Sequence, residues 1–317
     1  MKKFDIIIRF GLLVFISFLI FILNNNFARL TNLINILRQT SLLFVLGIGM
    51  TLVILTGGID LSNGAVLALS SCIGAMVLKS NLPIVFGVLT ALCIGIICGM
   101  SNGAMVSYLK IPPFIVTFAM MFIARGVVYI ILRGRPIFGF GPGFRFIGAG
   151  YLFEIPVPII FSMLFLLIFY TLLEFTAFGV NIFAIGSNVE SARLVGINVK
   201  KVTVLVYMLS GLMSAFAGLL YTARLNTASP MIGTSFPLDA IAIVIIGGAS
   251  LGGGEGNLIG TAIGALTITV IMNGMNLMSV SPLWQRFTVG GLILIMITIK
   301  TLTENLKLKR KTLGLSS

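Results

Sequence analysis

The sequence contains no histidine and only eight acidic residues in 317 positions. Without histidine, the commonest general base and the commonest metal ligand are both missing. The acids are Asp5, Asp60, Glu154, Glu174, Glu190, Asp239, Glu255 and Glu304, and no two are spaced as a paired-carboxylate metal or phosphate site. These absences argue against an intramembrane enzyme. No Gly-x-x-x-x-Gly-Lys-Ser/Thr stretch occurs, so the chain lacks a nucleotide-binding loop of its own. The three cysteines (Cys72, Cys93, Cys98) all fall in apolar runs and read as small packing residues, not a disulfide framework. Charged residues make up only 9%, against about 25% in a soluble domain. A chain with so little polar surface cannot cover a soluble globule.

Hydrophobic residues, by contrast, reach 58% and the mean hydropathy is +1.15. A helix needs roughly 20 apolar residues to cross a bilayer. One apolar run ends near Leu23, and others cover about 42–56, 65–78, 84–106, 114–132, 157–173, 203–221, 238–251, 258–278 and 285–299. The expectation is an all-α, polytopic membrane bundle of about ten spans; eight or nine result if the shortest runs do not cross. The connections are too short to hold a separate soluble domain, so one transmembrane unit covers 1–317. The N-terminal run has no small-x-small cleavage site and reads as an uncleaved first span. The stretch from Phe27 to Gln39 reads as an amphipathic segment at the membrane interface.

The net charge of +13 fits Lys and Arg gathered at cytoplasmic ends and facing anionic lipid, not nucleic acid. Lys2, Lys3 and Arg9 at one end, with Lys300, Lys307, Lys309, Arg310 and Lys311 at the other, put both termini in the cytoplasm. Lys110 and the segment 174–202 then also lie inside. The loop 133–156, with Arg133, Arg135 and Arg145, lies outside against the charge rule, and its prolines and glycines make it irregular. Pro112-Pro113, Pro156 with Pro158, and Ser281-Pro282 mark span boundaries.

Two glycine-rich breaks interrupt the apolar pattern. Gly57-Gly58-Ile59-Asp60-Leu61-Ser62-Asn63-Gly64 and Gly247-Gly248-Ala249-Ser250-Leu251-Gly252-Gly253-Gly254 both read Gly-Gly-x-x-Leu-x-x-Gly. Each precedes a helix rich in small residues, and the match is either coincidence or a sign of duplicated halves. Broken helices are tolerated in a membrane only where protein or a cavity surrounds them. Asp60 is a charge beside deep apolar runs, where charge is costly and usually functional. It serves either as a helix cap or partner of Arg125, or directly in gating and the solute path. Ser62 or Asn63 can cap the next helix, and Asp239 can cap the span after Pro237. Arg125 either snorkels or pairs with an acid. The small residues Gly64, Ala65, Ala68, Ser70, Ser71, Gly74 and Ala75, then Gly260, Ala262, Gly264 and Ala265, allow close helix packing, with a dimer interface or pore lining as the other reading.

The segment 183–202 differs from the rest. Ser187-Asn188-Val189-Glu190 reads as a capping box, Val189, Ala192 and Val195 as an apolar stripe, and Gly196 as the stop. A helix of two turns is too short to be stable alone. It is either a plain surface helix or one that docks into a partner.

These stretches together are similar to one known pattern. Thr56-Gly57-Gly58-Ile59-Asp60-Leu61-Ser62, Ile111-Pro112-Pro113-Phe114-Ile115-Val116-Thr117 and Ala124-Arg125-Gly126 carry it. So do Gly186-Ser187-Asn188 through Gly196-Ile197-Asn198, Ala223-Arg224-Leu225, Leu238-Asp239-Ala240-Ile241-Ala242, Gly247-Gly248 to Gly253-Gly254, and Asn273-Gly274 to Asn276-Leu277. Over roughly residues 40–300 the chain resembles the membrane permease of ribose-type sugar importers of the ABC class. It departs at Pro237, where the family usually has Glu, and at Ser187, where it usually has Gly.

The resemblance implies a single permease domain in the bacterial inner membrane, with no ATPase site of its own. It implies a second permease copy, most simply as a homodimer, and a partner ATPase that binds ATP and Mg. It further implies an extracytoplasmic binding protein that delivers ribose or a related monosaccharide. By the same resemblance Ser187, Asn188, Val189, Glu190, Ala192, Arg193, Val195 and Gly196 form the helix that docks on the ATPase. Gly57, Gly58, Asp60, Ser62, Arg125, Asp239, Gly247 and Gly248 are the candidates for gating and translocation. The competing reading is an ion-coupled secondary transporter, which would put Asp60 and Arg125 at the centre of coupling.

Overall fold

The computed structural model describes residues 2–80 and 82–312, with backbone alone for 2–5 and 299–312. Apart from Arg9, the side chains on which the expected orientation rests, Lys2, Lys3, Lys300, Lys307, Lys309, Arg310 and Lys311, lie outside the described residues, as do those of Asp5 and Glu304.

The chain begins with α1 (Lys2–Leu23), a short 3-10 turn (Asn25–Ala28) and α2 (Leu30–Leu55). Then come α3 (Asn63–Leu78), α4 (Ile84–Tyr108) and α5 (Pro113–Leu132). The following connection holds β1 (Ile137–Phe138), α6 (Pro142–Ala149), β2 (Tyr151–Leu152) and β3 (Ile155–Pro156). After it run α7 (Val157–Phe175), α8 (Ala177–Ser187), α9 (Val189–Leu194) and α10 (Val199–Leu225). The chain continues through β4 (Thr227–Ala228), α11 (Phe236–Ile246), α12 (Leu258–Leu277) and α13 (Pro282–Thr312).

Every apolar run is a helix, so the all-α membrane class stands. Among the described residues seven helices are long and apolar enough to cross a bilayer. α3 has 16 residues and α11 only 11, about 24 and 16 Å at 1.5 Å per residue. α11 is therefore a half-span, shorter than the roughly 30 Å hydrocarbon core.

Prolines occupy the first turn of α5, α6, α7 and α11, where the missing N–H would have no partner in any case. Two expectations need correction. The segment 27–39 is not a separate interfacial piece: a 3-10 turn capped by Asn24 leads directly into the 26-residue helix α2. The loop 133–156 is ordered, because β1 pairs antiparallel with β4 and β2 with β3. Gly148 lies so close to the backbone of α10 that a side chain there would collide with Leu220 O and Ala223 C.

Helices α2, α10 and α12 are mostly buried, whereas α1, α4, α5 and α7 expose most of their apolar surface. A helix apolar all round and enclosed by others is the core of a membrane bundle. The most extensive contact is between α4 and α10. A Cβ on Gly103 would lie 2.7 Å from Val204 Cα and one on Gly99 2.9 Å from Met208 Cα, and Gly95 and Gly211 face each other backbone to backbone. Gly95, Gly99 and Gly103 thus form one small-residue ridge at four-residue spacing, which lets two backbones touch. The same principle joins Gly74 to Gly87 and Ala91, Gly64 to Gly233, and Gly260 and Gly264 to the backbone of α11. The small faces of α3 and α12 are therefore packing surfaces within the chain.

Candidate functional site

Both glycine breaks begin with one helix-ending motif. After α2, Gly57 takes φ +78°, its N–H donates to Ile54 O at 2.9 Å, and Gly58 N–H reaches Val53 O at 3.0 Å. After α11, Gly248 takes φ +86°, its N–H donates to Ile245 O at 2.8 Å, and Ala249 N–H reaches Val244 O at 3.1 Å. Each is a left-handed stop that only glycine adopts at little cost. The structural equivalence therefore aligns Gly57 with Gly248, one residue off the alignment of the two sequence motifs.

The breaks converge. Gly254 N–H donates to Leu55 O at 2.9 Å, satisfying a terminal carbonyl of α2. A Cβ on Gly253 would lie 2.8 Å from Gly57 N and 2.9 Å from Gly186 Cα, and one on Gly186 would strike Leu55 O and Gly254 N. The end of α2, the second break and the end of α8 thus meet with no room for a side chain. At the other carbonyl terminus, Arg9 Nη1 of α1 donates to Gly247 O at 2.7 Å, a cation at the negative end of α11.

Asp60 lies inside the first break and is 1% exposed. Its Oδ1 accepts Ser62 N–H at 2.9 Å and Ser62 Oγ–H at 2.6 Å, and its Oδ2 accepts Ser210 Oγ–H of α10 at 2.8 Å. Asn102 of α4 donates to Ser62 Oγ at 2.9 Å. Asp60 thus ties the break to the α4–α10 seam. Nearby, Asn102 Oδ1 and Tyr207 Oη are buried without a partner among the described residues. A Cβ on Gly58 would come 2.5 Å from Tyr207 Oη. Ser62 stands at the N-cap of α3 without a side-chain cap bond, because its hydroxyl is committed to Asp60.

Arg125 does not pair with Asp60. Its guanidinium donates to Pro230 O and, at 2.9 Å, to Ile232 O, in the loop before α11. Asp239 does not cap α11 either: that helix starts at Phe236 with Ser235 at the N-cap, and Asp239 lies within its first turn. Arg125 therefore holds the loop at one end of α11, while Gly247 and Gly248 form the stop at the other.

The element α9 has six residues, and its N-cap is Asn188, whose Oδ1 accepts Ser191 N–H at 2.9 Å. The expected capping box from Ser187 is not formed. Ser187 closes α8 and donates back to Phe183 O at 2.9 Å, a bond serine makes readily inside a helix. Glu190 instead forms an ion pair with Arg193 at 2.6 Å. The stop at Gly196 is as expected: φ is +84°, Gly196 N–H donates to Arg193 O at 3.0 Å, and Ile197 N–H to Ala192 O at 3.1 Å. The apolar stripe is redistributed. Ala192 is buried, while Leu194 at 88% and Val195 at 75% exposure project outward and Val189 is only partly covered.

Sequence reasoning missed several of these residues. The Gly95-x-x-x-Gly99-x-x-x-Gly103 spacing was a readable signal. Ser210 and Asn102 gave none, since their significance comes from partners distant in sequence.

The chain matches, over residues 32–297, the family described as the permease component of the branched-chain amino acid transport system. It is 43% identical over 280 residues to the ribose import permease protein RbsC of Bacillus subtilis (strain 168), covering 88% of this chain and 87% of that one. It is 40% identical over 282 residues to the protein of the same name from Escherichia coli (strain K12), covering 87% and 88%. With the galactose/methyl galactoside import permease protein MglC of Escherichia coli (strain K12), identity is 34% over 319 residues, covering 95% and 94%. No solved structure matches. Buried broken helices, seven helices of spanning length and these likenesses agree: the chain belongs to the permease family of ABC importers and is a multi-pass protein of the bacterial inner membrane.

Proposed function

We propose that this chain forms the translocation path for ribose or a related monosaccharide, and that a separate ATPase, binding ATP and Mg, drives it through α9. A soluble binding protein delivers the sugar on the opposite side, and two copies of the chain enclose the path. The observation that carries the reading is α9 itself. It is a doubly capped short helix with Leu194 and Val195 standing almost fully outside the fold, in a chain with no nucleotide-binding loop. Exposed apolar anchors on a short rigid element suit a groove on a partner.

The junction supplies the transmission. The start of α9 directly follows Gly186 and Ser187, which abut Leu55, Gly253 and Gly254, and Gly253 in turn abuts Gly57. A displacement of α9 on ATP binding therefore acts on both breaks at once. ATP shifts the population between inward-open and outward-open states because the closed ATPase dimer favours one of them.

The test is the double variant Leu194→Glu, Val195→Glu. Both side chains are exposed, so the permease should keep its thermal midpoint. The ATPase should no longer comigrate on size exclusion, and ATP-driven uptake should fall at least tenfold. A complex that stays intact with full uptake would refute the role of α9.

A further inference from the structure

A cleft of about 210 Å³ lies between α11 and α13, with Ser235, Asp239 and Val289 on its inner side and Thr234, Arg286 and Gly290 on its exposed side. It is separate from the Asp60 cluster and from the α9 junction. Ligand pockets for drug-sized molecules run roughly 300–1,000 Å³, so this space suits one small solute. Its chemistry is unusual for a chain with 9% charged residues, because it brings an acid and a base to one cavity. Asp239 is only 8% exposed, whereas Ser235 beside it is half-buried. Among the described residues the one ion pair is Arg193–Glu190, so Arg286 and Asp239 flank the cavity without closing on each other.

A carboxylate offers about four acceptor sites and a guanidinium five donors. Opposite charges cancel, so the lining has no net preference for an ionic solute. A molecule with several hydroxyls, each both donor and acceptor, matches such a pair. The position adds a second argument. α11 is an 11-residue half-helix, and the cavity sits at its N-terminal end. Half-helix termini are where transporters place small solutes. Arg125 fixes the loop carrying Thr234 and Ser235 by bonding Pro230 O and Ile232 O.

We propose that this cavity is a binding subsite for a small, uncharged, polyhydroxylated solute, with Asp239 accepting and Arg286 donating hydrogen bonds to its hydroxyls. The inference rests on the reading of the chain as a monosaccharide permease and names where the sugar pauses. Gly290 lines the cavity and has open space where a Cβ would stand, so it is the reporter position. The experiment uses the full transporter in liposomes, with Gly290→Cys in a background where Cys72, Cys93 and Cys98 are replaced by Ala. Labelling by a small neutral thiol reagent is timed without binding protein, in nucleotide-free and ATP-bound complexes. Millimolar ribose should slow labelling at least threefold in one of the two states, and a sugar acid of similar size should not. Adding Asp239→Leu, which removes both acceptor oxygens, should abolish protection. If ribose alters labelling in neither state while the same liposomes still take up ribose with ATP and binding protein, the subsite is refuted and the permease reading survives. If uptake itself is absent for every neutral monosaccharide, the permease reading fails first. Equal protection by ribose and the sugar acid would refute the charge argument.

Discussion

At the scale of single residues, Asp60 decides between two kinds of machine. A carboxylate that carried a coupling ion would need to ionise, either to take up a proton or to hold a metal cation. Here every bond to Asp60 comes from a donor that can also serve an amide: Ser62 N–H, Ser62 Oγ–H and Ser210 Oγ–H. The Ser210 hydroxyl can rotate and accept from an Asn Nδ2. Asp60→Asn should therefore keep ATP-driven uptake within about threefold of the parent. Asp60→Ala should cost folded protein, since each buried donor left without an acceptor costs about 1–3 kcal/mol. Uptake rates and detergent melting midpoints separate the two. Loss of uptake in a well-folded Asn variant would mean that the charge itself is needed. The cost of Asp60 was legible in the sequence, because an acid beside apolar runs stands out. Its partners were not: Ser210 is 150 positions away and Asn102 is 40 from Ser62, and nothing local distinguishes either from any other small polar residue in a span.

At the scale of elements, backbone contact dominates. The ridge of Gly95, Gly99 and Gly103 lets α4 meet α10 with no side chain between them. Gly99→Leu should destabilise by at least the upper part of the roughly 1–3 kcal/mol that overpacking costs, because the obstacle is Tyr207 and Met208 backbone. Gly126→Ala should be neutral within about 0.5 kcal/mol, since no atom lies within 4 Å of its Cβ position. Thermal midpoints of the two purified variants check both, and equal midpoints would contradict the seam. The helices and both breaks were readable from apolar runs, Pro at first turns and paired glycines. The cap of α9 was misread because Ser187 and Asn188 are both good caps, and only the back-bond to Phe183 O decides between them. Arg125 was open in the sequence for a related reason: its partners are the carbonyls of Pro230 and Ile232, which every residue carries.

At the scale of the whole molecule, the described helices form one bundle around α2, α10 and α12, and its two breaks meet beside the segment that leads into α9. On the proposed coupling, a push on α9 would reach both breaks at once. The division of the bundle into buried and lipid-facing helices was legible only in part. Runs of equal hydropathy, such as those of α4 and α5, do not say which neighbour they touch. The central claim is that a separate ATPase supplies the energy. The most direct measurement is uptake of labelled ribose into liposomes containing this chain, its copurified ATPase and the binding protein, with ionophores present to collapse every ion gradient. The account predicts uptake that needs internal ATP and Mg, survives the ionophores, and disappears when the ATPase is omitted. Uptake by the chain alone, driven by an ion gradient and stopped by the ionophores, would contradict it.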